Sequence, residues 1–113
     1  MFDMLNMLGK VKDIQAKLQQ TKERVAHDTL SAEAGAGMVK VTMNGKRQLV
    51  KLEIDPSLLT PNDKDMVNDL VLAATNKALN DMDAHIAQEL QKATEGLIPN
   101  LPGLDIKALM GLK

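Results

Sequence analysis

The stretch Gly35–Leu59, GAGMVKVTMNGKRQLVKLEIDPSLL, decides the fold. Met38–Met43 alternates, with Val39, Val41 and Met43 facing one way and Met38, Lys40 and Thr42 the other. Leu49–Ile54 alternates likewise, which places Val50, Leu52 and Ile54 inward and Leu49, Lys51 and Glu53 outward. Period-two runs read as half-buried strands, because successive side chains leave a strand on opposite faces. Asn44-Gly45 between the runs predicts a hairpin closed by a type I′ turn, with positive φ at both central residues. Asp55-Pro56-Ser57 ends the second strand, since proline has no N–H to give the ladder.

Upstream, Gly35-Ala36-Gly37 predicts a tight bend or bulge. No Lys-Ser/Thr follows and no helix opens there, so it is not a phosphate loop. Thr29–Ala34 is a further short strand, with Leu30, Ala32 and Ala34 on one face. Before it, Met4, Val11, Leu18 and Val25 repeat every seven residues, and Met7, Ile14 and Thr21 repeat three positions on. This heptad seam, imperfect only at Thr21, predicts a helix over 3–28, roughly 40 Å long. So narrow a stripe needs a partner helix to cover it.

Downstream, Thr60 is placed as an N-cap, Pro61 as the first helical residue and Asp63 in the first turn of a helix over 61–95. Its apolar residues form two stripes. Val67, Leu70, Val71, Ala74 and Ala78 lie on one arc, and Leu79, Met82, Ile86, Leu90 and Ala93 on another, about a quarter turn away. A change of neighbour explains the shift, from the sheet to the first helix running antiparallel. The tail 96–113, GLIPNLPGLDIKALMGLK, is apolar and predicts a short helix over Leu104–Met110. With MFDMLNML it forms a Met-rich patch suited to self-packing, a second subunit or a protein partner.

Length gives a single domain over 1–113, in a size range where dimers are common, and the order of helices and strands makes it α+β. The core is aliphatic, with one Phe, no Trp, no Tyr and eight Met. The absence of Cys excludes disulfides, thiolate metal sites and a thiol nucleophile, and fits a reducing cytoplasm. No apolar run approaches the roughly 20 residues that span a bilayer, and MFDMLNMLGK lacks the basic start of a signal peptide. Net charge is -1, unevenly spread. Residues 63–95 carry seven acidic groups against three basic ones, and residues 1–62 are mildly basic.

No catalytic constellation is present. His27 and His85 lack any metal-ligand spacing, Ser31 and Ser57 lack a nucleophile-elbow context, and Asp81 and Asp83 point to different sides of a helix. No enzyme, no cofactor and no metal are expected. Lys10, Lys17 and Arg24 are spaced by seven and form a basic line beside the seam, flanked by Lys12 and Lys22. Such a line can follow a phosphate backbone. It can equally pair with acids of the second helix, and the residues alone favour pairing. Lys46 and Arg47, just past the hairpin turn, are a further candidate phosphate contact. No aromatic residues accompany these bases, so base stacking on single strands is not expected.

Gly35–Gly45, GAGMVKVTMNG, and Ile54–Leu59, IDPSLL, together with DIQAKLQQTKERV and the helix after Asn62-Asp63-Lys64, resemble the YbaB/EbfC family of bacterial nucleoid-associated proteins over nearly the whole chain. The resemblance implies a helix, a small antiparallel sheet and a second helix in a tweezer-like homodimer with projecting arms. It implies a cytoplasmic, nucleoid-located protein that binds double-stranded DNA without strong sequence preference. Its DNA contacts would fall on Lys10, Lys12, Lys17, Lys22 and Arg24. The alternative is a prefoldin-like chaperone or scaffolding module that uses the apolar arm ends.

Overall fold

The computed structural model describes residues 2–95, and side chains from Leu5 onward. The elements are α1 (Phe2–Val25), β1 (Thr29–Ala34), β2 (Val39–Asn44), β3 (Leu49–Ile54), two short 3₁₀ turns (Pro56–Leu58 and Pro61–Asp63) and α2 (Lys64–Thr94). This is an α+β chain whose three strands form one antiparallel sheet in the order β1-β2-β3. The expected tail helix over Leu104–Met110, and the Met-rich patch built on the tail, lie outside the described residues. The chain falls into two compact units. One is Ala26–His85; the other holds α1 and the turns of α2 from Ile86 onward.

In the sheet unit, Val39, Val41 and Met43 of β2 are buried, and β1 sets Ala34, Ala32 and Leu30 opposite them. The other face is polar. Lys40 stands between Glu33 and Glu53, and the Ser31 and Thr42 hydroxyls lie 3.0 Å apart. Pairs of this kind across strands are what fix register.

The bend at Gly35-Ala36-Gly37 is tight as expected, but the hairpin turn at Asn44-Gly45 is not type I′. Gly45 is not in the left-handed region; Arg47 is, at φ 61. Arg47 N–H donates to Asn44 O at 3.0 Å and Asn44 N–H to Gln48 O at 2.9 Å. The connection is therefore a three-residue loop with a left-handed last residue. Asn44 selects it, because its Oδ1 accepts from Lys46 N at 2.9 Å and from Gln48 N at 3.1 Å. That side-chain turn directs the backbone more strongly than the permissiveness of Gly45 does. The two-residue turn occurs instead at Ala36-Gly37, both with positive φ, closed by Met38 N–H to Gly35 O at 3.1 Å. Gly35 also has φ +65, and a β-carbon there would meet Leu70 Cδ1 at 2.9 Å. Only glycine meets both demands without strain.

A bulge shifts β3. Thr42 pairs with Lys51 but Met43 with Leu49, so Val50 is the extra residue. Leu49 thus joins Leu52 and Ile54 on the core side, where alternation had placed Val50. A bulge inverts the pattern on one side of itself, because the side-chain period is two.

The second helix also begins later than expected. Pro61–Asp63 forms a 3₁₀ turn and α2 starts at Lys64. Thr60 is extended, and its hydroxyl donates to Asp63 Oδ2 at 2.9 Å instead of accepting from a helix N–H. Within the sheet unit α2 runs along β2 in the same direction. Leu70 lies at the Gly35 turn, and Asp83 binds Arg47 at the opposite end of the strand.

The buried residues of α2 are Ala74, Ala78, Met82, Ile86, Leu90 and Thr94, one row at four-residue spacing. At about 100° per residue each step turns about 40° about the axis, so the row winds round the helix. Each stripe of the sequence shares part of this row, Ala74 and Ala78 from the first and Met82, Ile86 and Leu90 from the second, while Val67, Leu70, Val71, Leu79 and Ala93 are only half-buried. Ala74, Ala78 and Met82 belong to the sheet unit, and Ile86, Leu90 and Thr94 to the α1 unit. In that second unit the heptad seam is buried at Ile14, Thr21 and Val25, while Met7 and Val11 are exposed. The seam therefore operates only over its C-terminal half. Thr21 tolerates burial because its hydroxyl donates to Lys17 O at 2.7 Å.

Candidate nucleic-acid interface

Ile14, Thr21 and Val25 define the inward side of α1. At about 100° per residue, Lys10, Lys17 and Arg24 flank that side along one edge, Lys22 flanks it along the other, and Lys12 points directly outward. All of these are exposed. Among the described residues, no ion pair involves Lys10, Lys12, Lys17 or Lys22. Arg24 is engaged: its Nη2 donates to Glu89 Oε2 at 3.0 Å.

Lys46 and Arg47 are placed in the sheet unit, within the hairpin loop and not beyond it. The Lys46 side chain is exposed and makes no ion pair among the described residues. Arg47 Nε donates to Asp83 Oδ1, with both side chains about half exposed. The two arginines are thus paired with acids of α2, and the lysines are not. Guanidinium favours this outcome, since its planar fork suits a carboxylate better than a mobile ammonium does.

Most of the acidity of residues 63–95 belongs to the sheet unit. Of the acidic groups in 63–95, Asp63, Asp65, Asp69, Asp81 and Asp83 belong to the sheet unit, and only Glu89 and Glu95 to the unit of α1. The cations of that unit include one that heptad spacing on α1 could not disclose. Lys92 of α2, with Ala93 and Glu89, lines a groove of about 370 Å³ opposite Lys17, Gln20, Thr21 and Arg24. Helix pairing alone brings them together.

The histidines play other parts. His85 Nε2 lies 2.8 Å from Asp28 Oδ2, a half-buried contact that ties α2 to the start of the sheet, and His27 is exposed. Among the described residues no group of His, Cys, Asp or Glu is arranged to hold a metal ion, and no helix is long and apolar enough to cross a membrane.

Residues 1–97, which hold the first helix, the three-stranded antiparallel sheet and the second helix, match a known family model described as the YbaB/EbfC DNA-binding family. The chain belongs to the YbaB/EbfC DNA-binding family. It is 40% identical over 103 residues to a nucleoid-associated protein of Thermoanaerobacter pseudethanolicus, covering 91% of each chain. A nucleoid-associated protein of Bartonella bacilliformis is 35% identical over 94% of this chain and 97% of its own. Among solved structures, an uncharacterized protein of Helicobacter pylori, HP0035, superposes with a TM-score of 0.66 at 27% identity, over 85% of this chain and 98% of that one. The family is one of DNA-binding proteins and not of enzymes. The prefoldin-like alternative finds no support in these comparisons.

Proposed function

We propose that this chain is a nucleoid-associated protein of the cytoplasm that binds duplex DNA through phosphate contacts from α1, largely without regard to sequence. The observation that carries the reading is the set Lys10, Lys12, Lys17 and Lys22. These ammonium groups are exposed and have no carboxylate partner among the described residues. Lysines on a helix bind phosphates as point charges and release counterions, which positions a protein without reading bases. Arg24, Lys46 and Arg47 are secondary contacts, the two arginines only after leaving their carboxylate partners.

The homodimer belongs to the same proposal. β3 is an edge strand whose core-side residues Leu49 and Leu52 are 43% and 50% exposed, with the bulged Val50 at 55%. The other edge, β1, buries Ala32 and exposes only Thr29, Ser31 and Glu33. An apolar, unprotected edge on one side alone fits a second copy of the chain across a twofold axis.

Titration of a labelled duplex at several salt concentrations tests the DNA reading. With about six phosphates neutralised per dimer, the log–log salt slope is near -5. Charge reversal at Lys10, Lys17 and Lys22 abolishes binding while the circular-dichroism melt is unchanged. A flat slope, or binding that survives the reversal, refutes the proposal. Leu52→Lys, read by light scattering, gives a monomer if β3 carries the dimer contact.

A further inference from the structure

The groove lined by Lys17, Gln20 and Arg24 of α1 and by Glu89 and Lys92 of α2 has a volume of about 370 Å³. We infer that this groove seats one phosphate of the DNA backbone, with Lys92 as an additional contact and Glu89 as its internal competitor. The inference rests on the DNA-binding reading above and adds to it a residue and a counter-charge on the second helix.

The chemistry of the lining supports an anion. Lys17 and Lys92 bring ammonium groups from different helices, and neither makes an ion pair among the described residues. Gln20 adds an amide donor on the same side of α1, while the Thr21 hydroxyl is already committed to Lys17 O. Donors converging from two helices can hold a phosphate oxygen at a defined place, which one flexible lysine does not do.

Glu89 is the acid of this lining, and its Oε2 accepts from Arg24 Nη2 at 3.0 Å. The Arg24 side chain remains 57% exposed. Glu89 is 21% exposed, so the pair is half-buried but still open to solvent on the arginine side, and arginine binds phosphate through a matched fork. A phosphate entering the groove therefore competes with Glu89 for Arg24. The carboxylate lowers affinity and keeps the groove's cations from holding any passing anion.

The test uses the full chain and a labelled duplex, read by fluorescence anisotropy between roughly 50 and 200 mM salt. Each lost phosphate contact makes the slope shallower by about 0.9, which at 0.1 M salt is about an eightfold loss of affinity. Lys92→Ala shows that loss for each arm engaged, and Lys92→Arg restores binding. Glu89→Gln binds more tightly than the native chain, by up to about eightfold if Arg24 becomes a full contact. Misfolding cannot produce such a gain. If the native chain binds with a steep slope but both Lys92→Ala and Glu89→Gln leave affinity and slope unchanged, the groove is not a phosphate seat and the reading of α1 stands. If the native chain shows no salt-dependent binding at all, the DNA reading itself fails.

Discussion

Arg47 offers the sharpest separation of backbone strain from charge. It lies at φ 61, in a region that L-residues other than Asn and Asp seldom occupy. A non-glycine residue there costs roughly 1–2 kcal/mol, and glycine almost nothing. Glycine gives back roughly 0.4–1 kcal/mol through the greater freedom of the unfolded chain. The pair with Asp83 joins side chains that are 47% and 50% exposed, so it contributes roughly 0.2–1 kcal/mol. Arg47→Ala loses the pair and keeps the strain. Arg47→Gly loses the pair and sheds the strain. The glycine variant is therefore more stable than the alanine variant by about 0.5–1 kcal/mol, or several degrees in Tm for a chain of this size. Arg47→Asn also exceeds Arg47→Ala, since Asn tolerates the left-handed region. Urea and thermal melts at fixed protein concentration make the measurement, because self-association would otherwise move the midpoints. The glycine and alanine variants lose the same charge, so their DNA affinities agree while their stabilities differ. An alanine variant as stable as the glycine variant would refute the strained turn.

Gly35→Ala costs more than Gly37→Ala. Both carry positive φ, but a β-carbon at 35 meets Leu70 at 2.9 Å, whereas at 37 the nearest neighbour is Glu33 Oε2 at 3.5 Å. Adding Leu70→Ala to Gly35→Ala yields a total below the sum of the single effects, by about 0.5–1 kcal/mol in a double-mutant cycle on urea unfolding. The Asp55 carboxyl is held below the ordinary aspartate value, first by the backbone N–H of Ser57 and then by its side chain. Because folding lowers this pKa, the stabilisation is full above about pH 4 and is lost as pH falls through the lower folded value. Asp55→Ala flattens that acid limb of the urea midpoint, and an unchanged limb would show that the bond to Ser57 contributes nothing.

The candidate site was legible in part. Lys10 and Lys17, seven residues apart, announce a charged edge, and both are exposed on α1, as are Lys12 and Lys22 on other sides of the helix. Whether acids of the second helix neutralise them was not legible, since pairing depends on where Ile86–Thr94 lies against α1. Lys92 escaped because its relation to Lys17 spans about two-thirds of the chain and leaves no periodic trace.

Local rules determined the elements themselves. Alternation fixed β1 and β2, the seam fixed α1, and Pro56 and Pro61 bounded the connection, because each of these depends on a few neighbouring residues. The conformations of the two turns, the slip of one residue at Val50 and the winding row from Ala74 to Thr94 came only with the folded chain. The Asn44 loop is set by a side-chain turn that outweighs Gly45, and the rest by partners distant in sequence: Leu70 against Gly35, and the two different neighbours that one long helix must satisfy along its length.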